Sequence, residues 1–263
     1  MNVCQGGSGL IESEKEQRHM TRKGFCALMM TVGLGVSACA ERSALVATSQ
    51  EAASPPTEDI SGFYDVNATR WNGTKSTSRL LIKSLGIEGT AWQLVDVNRP
   101  RQSLALRSGD VLGTAYTTQS TPSDFASYFG IAIYEMRDAT LHGQWLSSAN
   151  PTTIEREVMS CPENLIGECN GIDGKSPGQA TKDRRIVIKR SHSGYWLNWI
   201  ASDPRDNVFG VGIVHGNKVI VAFGRDIFPA VEVCRISGVM LRCRSSDGDL
   251  RYINKAVLTR SSS

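Results

Sequence analysis

Histidine is scarce in this chain, four among 263 residues, and no two cysteines stand in a CxxC spacing, so the usual ligand sets of structural zinc are missing. From Cys39 onward only His142, His192 and His215 remain. His192 and His215 sit in or beside glycine-containing turns. His142 is expected to face Glu135 across a hairpin, an arrangement that reads as a cross-strand surface pair rather than a general acid and base. No GxSxG elbow, HExxH helix or phosphate-binding glycine loop occurs. Asn170-Gly171-Ile172-Asp173-Gly174 has some features of a calcium loop, but its ligand alternation is broken and no Glu closes it, so it reads as a turn. Helical periodicity is nearly absent; the single candidate is one turn over 122–128 behind a Thr121 cap. No apolar run reaches the ~20 residues of a spanning helix. These absences argue against an enzyme, a metal site and a cofactor.

What is present begins with Val36-Ser37-Ala38-Cys39. Arg22 and Lys23 precede an apolar run from Gly24 to Val36, and a polar, Pro-containing stretch follows. Residues 20–40 resemble the signal of bacterial lipoproteins, in which an aliphatic, small, small, Cys box is cut before a lipidated cysteine. The resemblance implies a signal peptide and upstream extension over 1–38, with Met20 as the initiator because 1–19 is polar. It implies a lipidated N-terminus at Cys39, a palmitate-type membrane anchor with no spanning segment, and a linker over 39–59. With Ala40 after the cysteine, it also implies an outer-membrane protein facing the periplasm.

The compartment governs how the remaining cysteines are read. Of seven, Cys4 and Cys26 fall before the cleavage point and Cys39 carries lipid. Cys161, Cys169, Cys234 and Cys243 remain, an even number in an oxidising compartment, which reads as two disulfides with three connectivities. Ser237-Gly238-Val239-Met240 has the form of a two-residue hairpin with Gly first, suited to a type II′ turn. That register sets Cys234 opposite Cys243 and leaves Cys161 for Cys169.

From Ile60 to the C-terminus, apolar segments alternate with Gly, Asn and Asp turns. Strands are expected over 79–83, 90–97, 104–106, 111–116, 130–136 and 141–146. The pattern then recurs. Gly62-Phe63-Tyr64-Asp65 and Arg79-Leu80-Leu81-Ile82-Lys83 match Gly167-Glu168-Cys169-Asn170 and Arg185-Ile186-Val187-Ile188-Lys189. Trp92 answers Trp196, and Gly109-Asp110 answers Gly216-Asn217. Ile131-Ala132-Ile133-Tyr134 and Leu141 answer Val231-Glu232-Val233-Cys234 and Leu241. The fold class expected is all-β: two tandem, diverged antiparallel units, small barrels or sandwiches, over 60–160 and 161–263. In this alignment Tyr134 and Gly143 occupy the places of Cys234 and Cys243, one bulky and one null side chain filling the space of a disulfide.

Charge is uneven. Residues 182–263 carry 14 basic and 7 acidic side chains, whereas 60–181 carry 10 and 12. Arg235 is expected opposite Arg242 with Arg244 nearby, a basic face suited to an envelope protein or an anionic envelope polymer. Most aromatics fall at alternating strand positions and read as core. Trp71, in a turn-rich loop, is the expected surface anchor for a partner. The function class these features favour is a lipid-anchored, non-enzymatic binding module, including an inhibitor or immunity-type protein. A structural envelope-assembly role is the alternative, an extracytoplasmic hydrolase is less favoured, and the compartment argues against nucleic acid.

Overall fold

The computed structural model describes residues 58–87, 89–98, 101–117, 128–177, 185–225, 227, 229–246 and 250–262. Cys39, Met20 and most of the 39–59 linker lie outside the described residues, as does the expected helical turn except for Tyr128. The described residues form sixteen strands. The first eight are β1 (Gly62–Thr69), β2 (Lys75–Ser84), β3 (Ala91–Asp96), β4 (Ser103–Ser108), β5 (Val111–Tyr116), β6 (Phe129–Arg137), β7 (Thr140–Ser147) and β8 (Asn150–Ser160). The second eight are β9 (Gly167–Gly174), β10 (Arg185–Arg190), β11 (Tyr195–Ile200), β12 (Val208–His215), β13 (Lys218–Gly224), β14 (Ala230–Ser237), β15 (Met240–Ser246) and β16 (Asn254–Arg260). A 3-10 turn, Pro204–Asp206, sits between β11 and β12.

The strands close into two eight-stranded antiparallel barrels. The all-β class and the two units expected from sequence are both present. Their partition along the chain is not the expected one. The second barrel is the continuous meander β6 to β13, closed by β13 on β6. The first is built from β1 to β5 and completed by β14, β15 and β16, with β14 on β5 and β16 on β1. A boundary at 160/161 would divide the second barrel between β8 and β9. The repeat itself is sound element by element: β1 to β8 correspond to β9 to β16 in order. Each repeat contributes five strands to one barrel and its other three to the neighbour, an exchange of the kind that links swapped protomers, here within one chain.

Register sharpens the alignment. Ile82 pairs with Leu94, and Ile188 pairs with Leu197. Trp92 therefore corresponds to Tyr195, one residue before Trp196. The slip matters because side chains alternate across a strand: Trp92 is fully buried inside the first barrel, while Trp196 is 37% exposed on the outside of the second.

Each barrel has its own interior. Tyr64, Ile82, Trp92, Leu112 and Leu241 pack with Cys234 and Cys243 in the first; Tyr134, Met159, Trp199 and Phe223 pack with Cys161 and Cys169 in the second. Both disulfides form as the spacing predicted. The hairpin pairs Cys234 with Cys243 and Ser237 with Met240, and Gly238 takes φ 55° in the tight turn. In the second barrel Tyr134 lies opposite Gly143, and a Cβ on Gly143 would stand 2.5 Å from Tyr134 Cε1. The ring occupies the volume that the disulfide fills in the first barrel.

A third apolar layer lies between the barrels. Leu104, Leu106, Val111 and Val233 of the first meet Ile131, Ile133, Val211 and Ile220 of the second. Gly113 lets the walls approach, since a Cβ there would come 2.6 Å from Ile220 Cγ2. Strands facing this layer are buried on both sides, so β13 reads as an unbroken apolar run, whereas β1 faces water outside and alternates.

The exchange predicts how the chain can be divided. A fragment spanning 128–225 contains a whole barrel and should give a cooperative β-sheet transition by circular dichroism, with a tendency to associate through its uncovered apolar layer. A fragment spanning 58–160 contains parts of two open barrels and should show none. Cooperative folding of 58–160 alone would refute the exchange.

Candidate ligand pocket in the first barrel

An eight-stranded barrel is just wide enough either to be filled by side chains or to hold one small ligand. The two barrels take different sides of that choice. One end of the first is closed by Tyr64, Trp92, Leu112 and the Cys234–Cys243 disulfide. Towards the other end lies a pocket of about 190 Å3. Val66, Leu80, Leu94 and Leu258 form an apolar side; Thr114, Glu232 and Ser245 form a polar one; Asp96, Arg101, Tyr116 and Asn254 stand at the strand ends.

Strand pairing fixes the polar side. Glu232 on β14 lies directly between Thr114 on β5 and Ser245 on β15. Its carboxylate Oε1 is 3.7 Å from Cys234 Sγ, but a disulfide sulfur has no proton to donate. Among the described residues Glu232 forms no ion pair. Thr114 is 1% exposed and its Oγ1 has no hydrogen-bond partner. Loss of water around Glu232 pushes its pKa from 4.5 up to about 7. A Glu232 carboxylate oxygen and the sulfurs of Cys234 and Cys243 lie within 4.8 Å of one another. With both sulfurs held in a disulfide there is no thiolate for a metal to take.

The register gives each pocket position a counterpart in the second barrel. Glu232, Thr114 and Ser245 correspond to Ala132, Val221 and Trp145. Asp96 and Tyr116 correspond to Trp199 and Phe223. Phe223 packs edge-on against Trp145 with ring centroids 6.0 Å apart and lies 5.7 Å from Trp199. Three large rings thus occupy the volume that the first barrel leaves open.

An aromatic pair stands beside the pocket-lining Asn254. Trp71, in the β1–β2 turn, stacks on Tyr252 at 4.1 Å with 14° between ring planes, and both are exposed. The Trp71 backbone N–H donates to Asn254 Oδ1 at 3.2 Å, which ties the turn to a pocket-lining side chain. Arg101 lies over the Tyr116 ring, 5.7 Å from its centroid.

Comparison of the chain with protein-family models, with curated proteins and with solved structures finds no match.

The other residues singled out from sequence are dispersed. Arg235 faces Arg242 as expected, but Asp110 Oδ2 lies 3.1 Å from Arg235 Nε and offsets its charge. Arg244 donates to the Val214 carbonyl at 3.2 Å, across to the second barrel. Glu135 does face His142, yet it bonds to Arg137 at 2.9 Å and to Asn217 at 3.2 Å, and the hydrogen bond with Arg137 holds its carboxyl below the usual range. Asn170 to Gly174 belong to β9 and are strand rather than the expected turn. Glu232 was not among the residues singled out. The signal was present: in the repeat alignment it is the charged residue set against Ala132, within the otherwise apolar run Ala230 to Cys234.

Glu232 predicts a pH dependence. Its folded pKa lies above its unfolded value, so between about pH 4.5 and 7 the native state holds more protons and stability falls as pH rises. The loss from this group is at most roughly 3 kcal/mol, and less where water in the open pocket screens the carboxylate. Glu232→Gln should flatten this slope in urea titrations and be the more stable protein at pH 8. An unchanged slope would remove Glu232 as its source.

Proposed function

We propose that this chain is a lipid-anchored binding module of the bacterial cell envelope, and that the pocket of the first barrel holds a small molecule. The observation that carries the pocket is the difference between duplicated units: one interior is filled by Trp145, Trp199 and Phe223, and the other keeps about 190 Å3 beside Glu232 and Thr114. Such a change replaces packing with an open, partly polar concavity, which costs stability and is the form of a ligand site. The anchor rests on Val36-Ser37-Ala38-Cys39. A lipid at Cys39 would hold the barrels at a membrane surface on the 39–59 linker.

The second barrel supplies its own control. Ser245→Trp with Glu232→Ala copies the filled interior into the first barrel. Native mass spectrometry after incubation with small-molecule extracts of envelope should find a ligand on the parent protein and none on the variant, with both equally folded. Equal loading would remove the pocket as the site. Labelling with palmitate should mark the parent and fail with Cys39→Ala, which should also leave the membrane fraction.

A protein partner, as for an inhibitor, is the second reading. It draws support from the exposed Trp71–Tyr252 stack, an aromatic feature of the kind enriched in interface anchors. Trp71→Ala should reduce partner recovery from detergent-solubilised envelope by about tenfold or more, as expected for an anchor. Undiminished recovery would dismiss this surface.

A further inference from the structure

We propose that the first-barrel pocket selects a small amphipathic amine, with its ammonium group on the Glu232 carboxylate and its hydrocarbon body along Leu80, Leu94 and Leu258. The proposal rests on the pocket being the ligand site and adds the class of ligand. Three features of the pocket converge on it. Glu232 is a carboxylate with no cation beside it among the described residues, in a wall where the second barrel has Ala132. A charge-bearing group enclosed without a partner is unfavourable, and a ligand cation relieves that cost. The residues directly opposite, Thr114 and Ser245, are hydroxyls able to accept further N–H hydrogens from the same ammonium, and Thr114 Oγ1 is buried without a partner. The facing wall is apolar, so the bound cation requires a hydrocarbon body.

The other charged and titratable groups lining the pocket are Asp96 on β3, Arg101 before β4, Tyr116 on β5 and Lys255 on β16. Arg101 is engaged over the Tyr116 ring. A ligand anion on this side would meet Asp96 and hold Glu232 in its protonated form, whereas an ammonium would draw off the Glu232 proton and meet one carboxylate in the wall and another at the strand end. The pocket has room for about six water-sized volumes, which a six-carbon amine matches.

The test compares hexylamine, 1-hexanol and hexanoate by isothermal titration calorimetry on the full chain, in buffers of different ionisation enthalpy at pH 6. Hexylamine should bind about tenfold tighter or more than hexanol, as a charge-assisted hydrogen bond provides, and hexanoate should bind weakest. Because Glu232 is largely protonated at pH 6, amine binding should release close to one proton, and hexanol binding none. Glu232→Gln should bring hexylamine down to the level of hexanol and abolish the proton release. Tightest binding by hexanoate, no binding of hexylamine, or amine preference retained in Glu232→Gln would overturn the amine. Equal binding of hexanol and hexylamine, both lost in Ser245→Trp, would overturn the amine while leaving the pocket. Amine binding that survives Ser245→Trp would overturn both.

Discussion

The aliphatic layer between the two barrels is the contact on which the rest of the structure depends. Ile131, Ile133 and Ile220 on one side and Leu104, Val111 and Val233 on the other leave little space for water, and Gly113 is there because no larger residue would fit against Ile220. An isolated barrel exposes every outward-facing side chain, so its strands must alternate. Here one flank of each barrel is covered, and the covered strands β4 to β6 and β12 to β14 include the four, β5, β6, β13 and β14, at which the chain passes between units. The long apolar runs of β6 and β13 follow from this two-sided burial.

Strand exchange makes the layer more than a docking surface. The chain leaves the first barrel after β5, builds the whole of the second, and returns at β14. Tyr64 on β1 then pairs with Arg260 on β16, nearly the full length of the folded region apart. Closing the first barrel is thus a long-range event, dependent on the C-terminal strands, whereas the second forms from neighbouring hairpins. The Cys234–Cys243 link staples the returning hairpin across its strands. In the second barrel Tyr134 over Gly143 fills the same place with no covalent bond. Both solutions fill one interior volume, and the one with a covalent staple is in the barrel whose closure is most remote in sequence.

Much of this was legible in the residues. Glycine turns and period-2 apolarity gave the strands, and the Ser237 to Met240 turn gave the register that sets Cys234 against Cys243. The duplication was visible because Gly62 to Lys83 and Gly167 to Lys189 keep the same order of polar and apolar positions. Exchange between the copies was not, because pairing β14 with β5 rather than with β13 depends on the path of two connections and leaves no mark on strand periodicity. Trp92 and Trp196 were set together by residue type, and only pairing shows that they differ by one step and face opposite sides. Arg235 was read as an uncompensated charge because Asp110, distant in sequence, is brought beside it by the β14–β5 pairing. The pocket was hidden for a similar reason: a volume is the sum of what eight strands place inside, and no single segment shows it.

Two enclosed glutamates show how the barrels have diverged. Glu157 in the second barrel is 1% exposed and accepts hydrogen bonds from the hydroxyls of Tyr134 and Ser176. Burial and the neighbouring Glu157 push the Tyr134 hydroxyl well above its ordinary pKa, so it keeps its proton and remains a donor. That acid is part of a closed packing unit beside Gly143. Glu232 in the first barrel has hydroxyl neighbours across both strands, but among the described residues its only close polar contact is a disulfide sulfur. An acid left in this condition is destabilising, and a fold retains it at a cost. The second barrel, with its interior filled by aromatic rings and its flank sealed against the first, supplies packing that does not depend on the pocket. Duplication with exchange joins the two through shared walls, so stability concentrated in one unit supports the open site in the other.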